Sequence, residues 1–224
     1  MKTVPQTFKE LYKYGTRLEV KKGQLIYDSE SGSAEHFAFL LDSGVCALSG
    51  LTADGEEQIF LYFKGQRTVG FAQLMPASPQ MTRRNHCFSI IAKTDCVLYQ
   101  ITAEVFRDLL DSDPFFTKFM LKVLAENYMD ILTRYRQNLE DPTSIRLCRL
   151  LIEFAGMQNG MLVMPSFFTY AELARYLGTH PVTIARIMSK LKEDGCISKH
   201  GKSTIILDPK RIQKMIDQNT PIDY

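Results

Sequence analysis

Two hydrophobic periods divide this chain. Between residues 16 and 107, apolar positions come in short runs broken by turn residues every 8 to 12 positions, which predicts strands of an antiparallel sandwich or roll. TRLEVKKGQLIY holds a glycine turn between two extended runs, and HFAFLLDSGVCALSG alternates until Asp42-Ser43-Gly44 breaks it. LTADGEEQIFLYFKGQ contains Asp54-Gly55, a strong hairpin signal. Beyond it Ile59, Leu61 and Phe63 point to one face and Phe60 and Tyr62 to the other. Gly65, Gly70 and a Met75–Pro79 loop interrupt again, and CFSIIAKTDCVLYQIT supplies two further strands.

The pattern turns helical at Ala103–Asp111, and Pro114 opens a long helix, FFTKFMLKVLAENYMDILTRYRQNLE. Leu121, Leu124, Tyr128, Ile131 and Tyr135 follow one another at spacings of 3, 4, 3 and 4, the seam of a helix that pairs with another helix. Met120, Val123 and Leu132 make a second apolar patch, so the helix can pack on its own roll and on a second subunit. The competing arrangement buries the whole helix inside one domain. Asp141-Pro142 should end it, because proline lacks an N–H and biases the preceding residue away from helix. Thr143–Met157 reads as another amphipathic helix and Lys210–Gln218 as a short terminal one. The expected organisation is a roll over 1–110, a dimerisation helix over 111–140 and a further domain over 141–224, an α+β fold.

The last of these carries the most specific pattern, TYAELARYLGTHPVTIARIMSKLKEDGCISKHGKSTIIL. Thr169 and Glu172 have capping-box spacing, and Leu173, Ala174 and Leu177 form the buried face of a short helix. Gly178 supplies a bend needing φ > 0, and Pro181 suits the first position of a second helix. Ile184, Ile187, Met188 and Leu191 form its apolar stripe, with Val182, Arg186, Ser189 and Lys190 opposite. Small Ala174, Gly178 and apolar Ile184 have the spacing two helices need to cross closely, as in a helix-turn-helix. CISKHGKSTIIL then reads as strand, basic turn (His200, Gly201, Lys202) and strand, a wing. Two packed helices without a DNA role share the apolar spacing, but cap, bend, stripe and wing all agree with DNA binding.

Charge is consistent with that. Residues 142–224 carry 11 Lys and Arg against 7 Asp and Glu, whereas 1–141 carry 16 against 18, so the basic half holds the phosphate-facing motif. No apolar run reaches 18 residues and the N-terminal MKTVPQTFKELYKYG has no signal-peptide core, so a cytoplasmic protein without a membrane partner is expected. The five cysteines (Cys46, Cys87, Cys96, Cys148, Cys196) are odd in number and hold no C-x-x-C. They suit small buried hydrophobes in a reducing compartment, with Cys196 beside the wing as the alternative, a redox-sensing thiol.

The whole chain resembles the CRP/FNR superfamily of bacterial transcription factors. The order roll, long helix, Asp-Pro hinge and winged helix-turn-helix matches, as do AEHFAFLLDSGVCAL, DGEEQIFLYFKGQ, VGFAQL, AKTDCVLYQI and above all Gly178–Lys202. The resemblance implies a cyclic-nucleotide-binding-like antiparallel β-roll (jelly roll), a homodimer, a double-stranded DNA operator, a small-molecule effector, and RNA polymerase as partner of an activator. It carries DNA contact onto Tyr170, Thr179, His180, Pro181, Val182, Thr183, Arg186, Ser189, Lys190 and Lys202. Three departures matter. Cyclic-nucleotide members hold ribose and phosphate with a Gly-Glu and an Arg-Ser pair; here Gly70 is followed by Phe71, and His86-Cys87 stand at the second place, with Arg83 and Arg84 just upstream. Iron–sulfur members carry an N-terminal cysteine cluster, and here the first cysteine is Cys46. Many members have Glu where Val182 stands, and H-x-V-T-I-x-R is similar to a CprK-like subgroup that senses halogenated aromatic compounds.

An aromatic or otherwise apolar effector is therefore expected rather than a cyclic nucleotide or an iron–sulfur cluster. Tyr62, Gly70, Phe71, Met75, His86, Phe88, Leu124 and Tyr128 are its candidate lining between roll and long helix, although the same residues could be core. Val182 offers methyl groups, which favour thymine, so an A/T-rich palindrome of TTAAT-type arms is expected by resemblance to that subgroup. Thr183 would hold a phosphate and His180 a base or the backbone at the helix start. Two other readings stay open: a constitutive or thiol-gated regulator of the same fold, and a cupin-like metal enzyme using His36 and His86. The second lacks converging ligands, and no H-x-H, H-E-x-x-H, G-x-S-x-G or P-loop string occurs.

Overall fold

The computed structural model describes residues 8–29, 36–52, 54–75, 88–201 and 203–224. His86, Cys87, Arg83, Arg84, Lys202 and most of the Met75–Pro79 loop lie outside the described residues. The chain forms two compact units, 1–131 and 132–224.

In the first unit, strands β1 (Thr16–Val20), β2 (Leu25–Asp28), β3 (Phe37–Ser43), β4 (Val45–Leu51), β5 (Glu57–Lys64), β6 (Arg67–Val69), β7 (Phe88–Ala92) and β8 (Cys96–Thr102) make two four-stranded antiparallel sheets, ordered β1-β8-β3-β6 and β2-β7-β4-β5. Alternation decides the faces. On β5, Ile59, Leu61 and Phe63 are buried while Phe60 stays exposed. Tyr27, Phe39, Leu41, Cys46, Leu61, Phe63, Ile90 and Leu98 fill the space between the sheets. The turn at Gly44 has no alternative residue: its φ is +96°, and a Cβ there would lie 2.5 Å from the Asp95 carbonyl oxygen and 2.7 Å from Cys96 Sγ.

A second core lies on the other side of β3 and β8. A 3-10 helix, Phe8–Tyr14, packs there with α1 (Ala103–Ser112) and the start of α2 (Pro114–Glu140), around Leu11, Leu40, Phe71, Leu74, Phe106, Phe116 and Met120. The hydrophobic pattern of the sequence does not mark this N-terminal turn. It is held by Tyr12, which stacks on Tyr99 at 4.0 Å and donates to Asp42 Oδ1 at 2.6 Å. Thr102 caps α1 by accepting from the Val105 N–H. Of the second patch expected on α2, Met120 and Val123 are buried but Leu132 is 40% exposed, so the buried stripe runs through Phe116, Met120 and Val123 instead.

The second unit begins with the last part of α2. Pro142 stops that helix and α3 (Thr143–Phe154) follows. The expected helix to Met157 ends early, because Gly156–Gln158 forms β9 and Met161–Val163 forms β10. Asn159 and Gly160 make the two-residue turn between them, both at positive φ, as a right-twisted hairpin needs. Then come α4 (Tyr170–Leu177), α5 (Pro181–Glu193), β11 (Ile197–His200), β12 (Ser203–Ile206) and α6 (Pro209–Asp217), with the sheet ordered β11-β12-β10-β9. The wing is thus one half of a four-stranded sheet. The chain end docks on α3, where Ile222 is buried and its N–H donates to Ser144 Oγ at 3.1 Å.

Candidate nucleic-acid interface

The reading head is built by local rules. Thr169 accepts from the Glu172 N–H at 3.2 Å and starts α4. Gly178 turns the chain with φ 61° and ψ 47°. Pro181 opens α5, and His180 caps it, its Nδ1 accepting from the Val182 N–H at 3.2 Å. An accepting Nδ1 carries no proton, so the Nε2–H is the edge of His180 left for another partner. Ile184, Ile187, Met188 and Leu191 are all within 2% of full burial, each contributing about 1.5–3 kcal/mol to holding α5 on its unit.

That burial turns the opposite face outward. Pro181, Val182, Arg186 and Ser189 are exposed, Val182 to 50%, and Thr179 and Thr183 are half-buried at the turn. Lys190 is different from Arg186: its ammonium lies 3.5 Å from Asp194 and 3.9 Å from Glu193, so part of its charge is already balanced within the protein. Tyr170, at the start of α4, is covered by Lys199 of β11, whose Nζ sits 3.8 Å over the ring. Lys199 is a basic wing residue that the sequence pattern did not single out. Only its pairing with Tyr170, 29 positions away, marks it, and sequence spacing carries no such signal.

The candidate effector residues fall into different neighbourhoods of the first unit. Phe71 is 5% exposed, stacks against Phe106 and belongs with Met75 to the core shared by α1 and α2. Gly70 has φ +71°, and a Cβ there would come within 3.1 Å of Phe39 and 3.2 Å of Tyr27. Phe88 is exposed and meets Phe60 edge to face at 5.7 Å; Tyr62 is half-buried on β5. Leu124 and Tyr128 stand on the open side of α2. A shallow groove of about 500 Å³ lies elsewhere, beside His36, Phe37, Thr102, Glu104, Arg107 and Asp108.

Cys46, Cys96, Cys148 and Cys196 are all buried. Burial pushes the Cys148 thiol up to about 12 and raises Cys46, Cys96 and Cys196 as well. A raised pKa keeps a thiol protonated and a poor nucleophile, the opposite of what a redox sensor requires. Among the described residues, no three His, Cys, Asp or Glu side chains gather as a metal site would need, and no helix is long and apolar enough to cross a membrane.

Comparison with known proteins agrees with both units. The profile of the cyclic nucleotide-binding domain matches residues 17–113 and that of the Crp-like helix-turn-helix domain matches residues 145–215. The cAMP-activated global transcriptional regulator CRP of Pasteurella multocida is 27% identical over 190 residues, covering 83% of this chain and 86% of its own. A Crp/Fnr-family transcriptional regulator from Eubacterium rectale superposes with a TM-score of 0.75 at 19% identity, over 95% of this chain and 94% of its own. CprK complexed with OCPA superposes at 0.58 with 16% identity, over 92% and 93%. The two domains in this order, on this fold, place the chain in the CRP/FNR superfamily of DNA-binding transcriptional regulators.

Proposed function

We propose that the protein acts in the cytoplasm as a homodimer that reads a two-armed, A/T-rich operator and is gated by an apolar or aromatic effector. The observation that carries the dimer is the bare seam of α2. Leu121, Leu124, Tyr128, Ile131 and Tyr135 are exposed by 61, 37, 61, 51 and 62%, and Leu139 continues the row at 69%. Phe116, Met120 and Val123 already bury the helix in its own unit, so the seam is not needed to hold it there. A continuous apolar stripe in heptad spacing is the surface a second helix covers. One recognition helix reaches few bases, and two half-sites about 34 Å apart supply the rest.

On α5, Arg186 can fork onto guanine or clamp a phosphate, and Val182 offers methyl groups to thymine. Phe71 stands where the superfamily's cyclic-nucleotide members have a ribose-binding glutamate, and its burial in an aromatic core leaves no acceptor at that position. This supports a less polar effector, bound by the first unit with the residues around Gly70–Met75 and the open side of α2. As an activator, the dimer would present its DNA complex to RNA polymerase.

Leu124→Glu puts a charge into the seam and is expected to give monomers in sedimentation, with most operator affinity lost. A dimer of unchanged affinity removes the seam. Titration of candidate halogenated or simple aromatic acids with and without operator DNA tests the gating. Linkage requires the two ligands to strengthen each other by the same factor, about 5- to 150-fold. Full operator affinity in the absence of any added compound points to a constitutive regulator instead.

A further inference from the structure

Helix α4 ends at Leu177, and its last turn closes on itself: the N–H groups of Gly178 and Thr179 both donate to the Ala174 carbonyl. The carbonyls of Tyr176 and Leu177 stand at the C-terminal end of the helix. Two guanidinium groups from outside the helix-turn-helix take them. Arg134, on α2, lies 3.6 Å over the Tyr176 ring and donates through Nη2 to the Tyr176 carbonyl. Arg146, on α3, donates from Nη1 to the Leu177 carbonyl at 3.0 Å and to Asn138 Oδ1 of α2 at 2.8 Å, while its Nη2 reaches Thr143 Oγ1 at 3.0 Å. Both cations sit at the negative end of the α4 dipole, where a positive charge is favoured.

The next residues are the Gly178 turn and Pro181, so the placement of α5 follows from where α4 ends. That end is fixed to positions 134 and 138 of the long helix. Their sequence neighbours Tyr135 and Leu139 are exposed seam residues. We infer that Arg134 and Arg146 are positioning residues for DNA reading, which transmit the placement of the C-terminal end of α2, and with it the pairing of Tyr135 and Leu139 in a dimer, to the helix-turn-helix. The dimer clause rests on the function proposed above; the rest stands on contacts inside the second unit. Neither arginine needs to touch DNA. Arginine suits the task where lysine does not, because one planar group stacks on a ring and donates to a carbonyl at once.

The test compares wild type, Arg134→Met, Arg134→Lys and Arg186→Ala, all full-length, on one duplex selected from random DNA by the wild-type protein, over a salt series. Arg134→Met is expected to weaken binding about 5- to 30-fold, a loss of one or two helix-capping interactions. Its slope of log affinity on log salt should equal the wild type's, since no phosphate contact is lost. Arg134→Lys should fall between the two, and melting of the free protein should stay near wild type. Arg186→Ala, a contact residue, should instead change the base preference or lower the slope by about one.

The inference is overturned if Arg134→Met binds as wild type does, or if its slope falls by about one, which would make Arg134 a phosphate ligand. It is also overturned if the affinity loss comes with an equal loss of folded protein in Arg134→Lys, which keeps length and charge. Sedimentation of the same samples separates the two readings. A monomeric wild type whose affinity still falls on Arg134→Met ends the dimer proposal and leaves the positioning role standing.

Discussion

The two parts of α2 are anchored by different physics. As far as Ile131 the helix is held in the first unit by apolar burial: Phe116, Met120 and Val123 enter a core that also contains Leu11, Phe71 and Phe106. From Leu132 to Glu140 no residue is buried, and the anchors are directional: the Arg134–Tyr176 stack and hydrogen bond, the Asn138–Arg146 bond, and, just past the helix end, Asp141 to Arg149 at 2.7 Å. Apolar burial rewards area and tolerates small shifts of one surface over another. Hydrogen bonds weaken steeply with angle and so fix one register. The helix is thus firmly seated in the first unit and finely indexed in the second.

The largest effect should come from the apolar anchor. Phe116 is 1% exposed and meets Phe106 edge to face at 5.4 Å, so Phe116→Ala removes a ring that little else can replace. Chemical denaturation of the first unit is expected to lose about 3–5 kcal/mol, with the second unit's transition unmoved. A loss shared by both transitions would mean that the two anchors do not act separately.

Asp141→Ala should come next. The Asp141 carboxylate is 9% exposed, but Arg149 keeps 36% of its surface in water and can be rehydrated once its partner goes. The expected loss in the second unit is about 1–2 kcal/mol, below that of a fully buried pair. Asp141→Asn keeps one acceptor for Arg149 and should recover part of it. Equal losses for the two variants would show that the carboxylate charge, not the geometry of the bond, does the holding.

This difference in anchoring also explains what the sequence could reveal. Apolar burial leaves a period, and the roll's alternation and the α5 stripe are legible from it. Local backbone chemistry leaves a residue type, so Thr169, Gly178, Pro181 and Pro142 marked their turns and caps. The β9–β10 hairpin carried its signal too, in Asn159-Gly160, but the amphipathic period of α3 ran into it and was extended past Phe154. Directional tertiary pairs leave neither mark. Arg134 with Tyr176, 42 positions apart, and Lys199 with Tyr170 are ordinary surface residues until the chain brings them together. For the same reason Lys190 and Arg186 looked alike on one helix face, although carboxylates at 193 and 194 draw only Lys190.

The smallest effect tests whether the first part of α2 is held by burial alone. Arg67, at the start of β6, reaches across to the helix, with Nη1 3.2 Å from Glu126 and Nη2 3.3 Å from Asp130. These bonds look directional, like those of Arg134. Their setting is wetter: Arg67 is 28% exposed, Glu126 43% and Asp130 50%, and Lys122 competes for Glu126 at 3.7 Å. Water screens such pairs, and ordering three long side chains offsets much of the attraction, so Arg67→Ala should cost about 0.3–1 kcal/mol in the first unit. The deficit should shrink further in high salt, where the Debye length falls to about 3 Å at 1 M. A loss above about 2 kcal/mol that persists in salt would show the first part of α2 to be indexed by polar contacts as well. The Arg67 pairs would then tie β6, and the Gly70 turn that follows it, to one register of the long helix, and the contrast between its two parts would reduce to a difference of degree.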